Sequence, residues 1–149
     1  MKIRLSVPEE RYETVKEYLS SHGIEVGEDG EYTLTASSVY APFLAARDDT
    51  KAHYQIKTDE VIYIEAFGKD IEIHTLQGTY YSLDRMYQLE AVLDPKDFIR
   101  VSKSVIISGK HVKKIRASLS MKFILTMSNG ALVDVTRTYY SEFRRFFNI

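Results

Sequence analysis

The spacing of apolar residues divides the chain into two parts with different patterns. Ile3–Val7 alternates apolar and polar residues, which predicts a strand. Apolar residues then recur at helical spacing up to Gly23, a pattern typical of a helix that ends at a glycine. Two short segments, Ile24–Val26 and Glu31–Ala36, predict further strands on either side of a glycine-containing turn. The first part therefore predicts a small β-α-β-β module.

From residue 51 onward the pattern changes to short strands separated by turn residues, with two helices among them. The expected strands are His53–Lys57, Val61–Phe67, Ile71–Leu76, Thr79–Tyr81, Phe98–Ile107, Val112–Ile115, Lys122–Met127 and Ala131–Val135. Asn129-Gly130 between two apolar runs is the strongest hairpin signal in the chain. One helix is expected from Ser82 to Leu93 and a second from about Thr138 to Phe147.

A change in composition marks the boundary between the two parts. Val39–Ala46 is apolar and rich in alanine, whereas Arg47–Thr50 is polar. We therefore expect a small α/β regulatory or dimerisation module over residues 1–46 and a mainly β, antiparallel domain with short helices over residues 51–149. The module is too small for a phosphate-accepting receiver domain of ordinary size.

The composition is that of a folded, soluble chain. The 149 residues are 44% hydrophobic and 28% charged, so a sizeable core can form. The absence of cysteine excludes disulfides, thiolate zinc sites and cysteine nucleophiles. No apolar run is long enough for a signal sequence or for the roughly 20 residues of a membrane span. We expect a cytoplasmic protein.

The motifs of catalysis and cofactor binding are missing from the sequence. It contains no glycine-rich phosphate loop, no Gly-x-Ser-x-Gly elbow and no His-Glu-x-x-His helix. The four histidines are too dispersed to indicate a metal site; they are His22, His53, His74 and His111. We therefore expect no enzyme, no catalytic residue, no cofactor, no metal site and no small-molecule substrate.

The charge is distributed unevenly, although the net charge is only −1. Lys96–Ile149 carries eleven Lys or Arg residues against three acids, a net charge of +8. Met1–Asp94 carries nine against eighteen, a net charge of −9. A basic segment of this density is typical of a protein that binds nucleic acid or phosphate, and the alternative is a solvated basic face.

Four segments in the basic part and just before it resemble a known family. They are VIYIEAFGKDIEIHT at Val61–Thr75, FIRVSKSVII at Phe98–Ile107, HVKKI at His111–Ile115 and NGALVDVTRTYYSEFRRFF at Asn129–Phe147. In this order over about 100 residues they resemble the LytTR DNA-binding domain of bacterial transcription regulators. One position departs from the pattern, because Ser108 stands where the family has Asn.

The resemblance implies an elongated, mainly β domain that lays loops, rather than a recognition helix, into successive major grooves of DNA. Carried over residue by residue, it implies contacts from Lys69 in the turn after Glu65, from Lys103, and from Arg137 at the last strand-to-helix junction. Lys103 and Arg137 are suited to the O6 and N7 atoms of guanine.

A second group of residues is suited to the phosphate backbone. The resemblance and the charge pattern together point to Arg100, Lys113, Lys114 and Arg144, and Ser102 fits the family pattern after the Phe98 strand. For Arg100, which lies inside an expected strand, a structural ion pair is an equal alternative. Ser102 is alternatively a residue that finishes the strand by bonding to the backbone.

The leading hypothesis is a sequence-specific, response-regulator-like transcription regulator that binds duplex DNA. Few base contacts per copy favour a homodimer on paired half-sites, with the first module as the source of dimerisation. The resemblance to short regulators that act beside a small membrane protein makes such a protein a candidate partner. The alternative is a non-enzymatic interaction module that binds an acidic protein or RNA.

Overall fold

The computed structural model of the protein describes residues 1–36 and 40–149. The chain divides into two units, Met1–Val39 and Tyr40–Ile149. The first unit contains β1 (Lys2–Ser6), α1 (Glu9–Ser21), β2 (Glu25–Val26) and β3 (Tyr32–Thr35). Its strands pair in the order β2-β1-β3, and both pairs are parallel. The order of elements is the expected β-α-β-β.

The central strand of this sheet supplies the buried residues of the first unit. Ile3 and Leu5 are buried on β1, whereas α1 has no fully buried residue. Gly30 lets the chain pass close to β1, because a Cβ atom at this position would lie 2.4 Å from the carbonyl carbon of Ile3. The unit thus has a very small core, as its length requires.

The second unit is built from two antiparallel sheets and two short helices. The seven-stranded sheet contains β4 (Phe43–Arg47), β5 (His53–Lys57), β6 (Val61–Phe67), β7 (Asp70–Thr75), β8 (Thr79–Ser82), β9 (Phe98–Ser102) and β10 (Val105–Ser108), in the order β5-β4-β8-β7-β6-β10-β9. The three-stranded sheet is β11 (Val112–Ala117), β12 (Phe123–Met127) and β13 (Leu132–Val135), in that order. The helices are α2 (Met86–Val92) and α3 (Tyr140–Phe147), and 3-10 turns cover Thr58–Glu60, Gly109–His111 and Arg137–Tyr139. The expected mainly β fold with short helices is confirmed.

Two hydrophobic cores stabilise this unit. The first lies between the seven-stranded sheet and α2, and consists of Leu44, Ala46, Ile56, Val61, Ile64, Ile71, Ile73, Met86, Leu89, Leu93, Phe98 and Ile106. The second joins the three-stranded sheet and α3 to β9 and β10, and consists of Ile62, Val101, Val105, Ile107, Phe123, Leu125, Met127, Val133, Val135 and Phe143. Because β6, β9 and β10 contribute residues to both cores, the positions of their connecting turns are fixed from two sides.

The structure differs from the sequence-based expectations at several element boundaries. The expected single strand Phe98–Ile107 is a hairpin, β9–β10, in which Ser102 pairs with Val105 around a turn at Lys103-Ser104. Helix α2 begins at Met86 because Ser82 still belongs to β8, which pairs with β4 through Ala46.

Two further boundaries also differ. The first unit ends before the expected residue 46, since β4 pairs with both β5 and β8 of the second unit. Helix α3 begins at Tyr140, after the 3-10 turn that contains Arg137.

Ser108, at the family's asparagine position, is the last residue of β10 and is fully buried. Among the described residues, no helix has the length and apolar character needed to cross a membrane.

Candidate nucleic-acid interface

Two hairpin turns lie at the same end of the seven-stranded sheet. Strand β6 pairs antiparallel with β7 on one side, closing on Phe67 and Asp70, and with β10 on the other, where Val105 lies opposite Glu65. The turn between β6 and β7 and the turn between β9 and β10 are therefore neighbours. A hydrogen bond from the Ala66 backbone N–H to the Ser104 carbonyl (2.8 Å) fixes the second turn against β6.

An exposed lysine lies in each of these turns. Lys69 follows Gly68, whose positive φ of 61° allows the tight reversal from β6 to β7. Lys103 is exposed at the tip of β9–β10. The register of β6 therefore brings two of the expected contact residues, far apart in sequence, to one end of one sheet.

Arg137 is held beside the same hairpin by a different element. The Thr136 backbone N–H donates to the Val101 carbonyl (3.0 Å), and the Thr136 hydroxyl donates weakly to the same oxygen (3.4 Å). These bonds fasten the junction between β13 and α3 to β9, two residues before Lys103. Arg137 itself is exposed and begins the 3-10 turn. The three expected contact residues thus come from three turns that are tied to β6 and β9.

The side chain of Arg100 is already engaged within the protein. Its Nε donates to the Ser102 carbonyl (3.1 Å), its Nη2 donates to the Lys103 carbonyl, and its Nη1 pairs with Oε2 of Glu90 on α2 (2.8 Å). The side chain is only 21% exposed, against 51% for Glu90. Of the two alternatives for Arg100, the contact with Glu90 fits the structural ion pair, and the two bonds to carbonyl groups also hold the Lys103 turn.

Ser102 also takes part in the geometry of this turn. Its hydroxyl accepts a long hydrogen bond from the Ser104 backbone N–H (3.3 Å) and lies 3.4 Å from the Ser104 hydroxyl. This is the backbone bond expected of a serine that finishes a strand.

The remaining basic residues of the expected interface lie on other elements. Lys113 and Lys114 are exposed on β11, next to an irregularity in the pairing of β11 with β12. Arg144 is exposed on α3, where its Nε donates to the Ile149 carbonyl (3.1 Å) and its guanidinium lies 5.9 Å from the centre of the Tyr140 ring. These three residues are available to a long charged ligand but are not part of the turn cluster, which consists of Lys69, Lys103 and Arg137 with their turns.

An acidic group of residues adjoins the β6–β7 turn and was not expected from the sequence. Glu65 and Glu72 lie directly opposite each other on β6 and β7, and His74 is two residues farther along β7. Burial raises the pKa of the neighbouring Tyr63 phenol, and the negative charges of Glu65 and Glu72 raise it further. The signal in the sequence is the Gly68-Lys69 turn, because a hairpin closed at this turn pairs Glu65 with Glu72.

Comparisons with known proteins agree with this architecture. The family model for the LytTr DNA-binding domain matches residues 51–148. A solved LytTr DNA-binding domain from Bacillus cereus superposes with a TM-score of 0.68 and 26% sequence identity, over 73% of this chain and 100% of that one.

Curated relatives show a similar level of likeness. The transcriptional regulatory protein LytR of Staphylococcus aureus (strain N315) is 27% identical over 120 residues, 78% of this chain and 48% of the relative. The sensory transduction protein LytT of Bacillus subtilis (strain 168) is 27% identical over 94 residues, 63% of this chain and 39% of the relative. The chain therefore spans about half the length, or less, of these relatives.

The fold and the turn cluster define a mainly β domain that presents basic hairpin turns at one end of a sheet. The chain belongs to the LytTr DNA-binding domain family. The resemblance expected from the four sequence segments is confirmed.

Proposed function

We propose that this protein is a sequence-specific, DNA-binding transcription regulator that places turns of its second unit in successive major grooves. The observation that carries the proposal is the convergence of Lys69, Lys103 and Arg137 on turns tied to β6 and β9. Cationic side chains on rigid turns can reach base edges, because the strands behind them are packed in two cores. The family membership and the regulator relatives support the same function.

The basic residues have different roles in this proposal. Lys103 and Arg137 donate to guanine edges and determine sequence preference, and Lys69 contacts the DNA from the neighbouring turn. Lys113, Lys114 and Arg144 bind phosphates, which adds affinity without sequence preference.

Arg100 and Ser102 act through the turn that carries Lys103. The guanidinium of Arg100 holds two carbonyl groups of the turn, and the hydroxyl of Ser102 receives the Ser104 N–H. In our proposal these residues fix the position of Lys103 at the DNA, and neither needs to touch a base itself.

We further propose that two copies bind paired half-sites and that the first unit dimerises the protein. Tyr32 and Leu34 on the edge strand β3 are 60% and 42% exposed, so the first unit has apolar surface for a partner. Light scattering of the full chain and of residues 40–149 tests this point. If the full chain is a dimer and the fragment is a monomer, the first unit binds a second copy of itself. If the full chain is a monomer, the exposed surface of the first unit is proposed to bind another partner, such as a small membrane protein.

The main proposal is tested by selection of duplexes from a random pool with the full-length protein. We expect enrichment of a short sequence, present in two copies, that competes with random duplex DNA. Equal binding to all duplexes, or preferential binding to RNA or an acidic protein, would contradict sequence-specific DNA binding and favour an interaction module.

A further inference from the structure

Two carboxylates and an imidazole meet on one surface of the β6–β7 hairpin. Glu65 and Glu72 are cross-strand neighbours, and His74 lies on the same surface because side chains two residues apart on a strand point the same way. One potential ligand atom from each of the three residues lies within 4.8 Å of the other two, and all three residues are half-buried. Like charges directly opposite each other destabilise a hairpin, so a cation bound by both carboxylates would stabilise this one.

The imidazole of His74 is oriented by contacts on two sides. Its Nδ1 lies 3.1 Å from the Thr79 hydroxyl on β8, and its ring stacks on Tyr63 with the ring centres 4.2 Å apart. Its Nε2 is buried, makes no hydrogen bond to any residue that the structure describes, and lies 3.2 Å from Oε2 of Glu72, with which it forms an ion pair only when the ring is protonated. We assign the Nδ1 proton to the hydrogen bond with Thr79, which leaves the lone pair of Nε2 directed towards the carboxylates.

We propose that Glu65, Glu72 and His74 bind one divalent transition-metal ion of the Zn²⁺ class. An imidazole nitrogen with two carboxylate oxygens is a ligand set for zinc and similar ions, whereas Mg²⁺ and Ca²⁺ prefer oxygen ligands alone. Zinc holds such ligands at about 2.0–2.2 Å, with water in a fourth position. The hydroxyl of Thr79 then serves as the outer contact that orients a histidine ligand.

The position of this site gives the metal a role at the DNA interface, a role that rests on the proposed DNA-binding function. Glu65 lies opposite Val105, and the next residue of β6, Ala66, bonds to Ser104 in the turn that carries Lys103. Glu72 is three residues from Lys69. A bound Zn²⁺ ion neutralises both carboxylates beside the two basic turns, so it should strengthen binding to phosphate-rich DNA.

The metal site is tested without DNA, by calorimetric titration of the full-length protein with Zn²⁺ alone. We expect one ion per chain, and a loss of affinity of at least about tenfold in each of the variants Glu65→Gln, Glu72→Gln and His74→Gln. The matched controls are Asp70→Asn, which removes a carboxylate from the same hairpin, and His53→Gln, which removes an exposed histidine. Mg²⁺ at equal concentration should not compete. The two glutamate variants remove a charge repulsion and are expected to remain folded. Circular dichroism checks the fold of these variants and of His74→Gln.

The proposal is overturned if wild-type protein binds no zinc up to about 100 μM, or if the Glu65→Gln/Glu72→Gln double variant binds it as tightly as wild type. A second titration uses a selected duplex with zinc and with a chelator. We expect zinc to tighten DNA binding about fivefold or more, and DNA to tighten zinc binding by the same factor. If zinc binds at the three residues but no duplex binds under any condition, the metal site stands and the proposed DNA-binding function fails.

Discussion

Replacement of Arg100 by Ala tests whether Arg100 positions the Lys103 turn or binds a DNA phosphate. The substitution removes two hydrogen bonds from a charged donor to the carbonyls of Ser102 and Lys103, together with the ion pair to Glu90. Each charge-assisted hydrogen bond contributes about 1.5–3 kcal/mol, and these two are not additive because they share one guanidinium. The Glu90 carboxylate is 51% exposed, so its pair with Arg100 adds no more than about 1 kcal/mol. We expect a loss of about 2–4 kcal/mol in the free energy of unfolding.

Urea denaturation and DNA titration of the same variant provide the assay. If Arg100 positions the turn, Arg100→Ala should reduce the differences in affinity among operator sequences, while the logarithmic salt dependence of binding stays unchanged. A phosphate contact instead predicts an unchanged ranking and a salt slope that is smaller by about 0.9. The control is Glu90→Gln, which keeps the cation and its two carbonyl bonds and should cost no more than about 1 kcal/mol. Wild-type stability of Arg100→Ala combined with the reduced salt slope would refute our assignment.

Three further predictions concern other parts of the second unit. Arg137→Ala should lose roughly 1–3 kcal/mol of binding free energy on the selected duplex and become less selective among bases. Lys113→Ala should weaken binding to selected and random duplexes equally in competition titrations. If Arg137→Ala ranks operator variants in the same order of affinity as wild type does, base readout by Arg137 is contradicted. A fragment of residues 40–149 should unfold at higher urea concentration than one of residues 51–149, because only the longer fragment keeps β4 between β5 and β8; equal midpoints would contradict this. The pKa of the Asp48 carboxyl is lowered by hydrogen bonds, of which the one from the Thr50 hydroxyl has the largest effect. The stabilisation from these bonds is present at neutral pH and is lost as the pH falls below the usual 3.8 and through the lowered pKa. Asp48→Asn should therefore be less stable than wild type in urea at pH 7 but not in strong acid, and a difference in stability that persists in strong acid would contradict the assignment.

The sequence was sufficient to predict strand positions where apolar and polar residues alternate. The β6–β7 and β12–β13 hairpins follow from their Gly68 and Gly130 turns, because glycine at positive φ marks a tight reversal. The β9–β10 turn was missed because Lys103 and Ser104 carry no such signal. The turn depends on Arg100, whose bonds to it are visible only in three dimensions.

The candidate interface was predictable in its residues but not in its arrangement. Charge and family pattern pointed to Lys69, Lys103 and Arg137, yet their convergence depends on the pairing of β6 with β10 and on the bond between Thr136 and Val101. Such long-range pairing is not encoded in local periodicity.

The acidic group escaped prediction for the same reason. Glu65 and His74 are nine positions apart in sequence and become neighbours only through the register of the hairpin. A search for metal ligands at fixed sequence spacing does not detect such a group.

The most direct test of the central claim is a titration of the selected duplex with a variant that lacks the charges of the turn cluster. The test variant is Lys69→Gln/Lys103→Gln/Arg137→Gln. The control removes three other cations outside the proposed interface, Lys57→Gln/Lys96→Gln/Lys110→Gln. We predict that the test variant loses the preference for the selected duplex over random DNA, whereas the control keeps this preference and loses only a little affinity through the change in net charge. Equal losses of preference in the two variants, or retained preference in the test variant, would contradict the claim that these turns read DNA sequence.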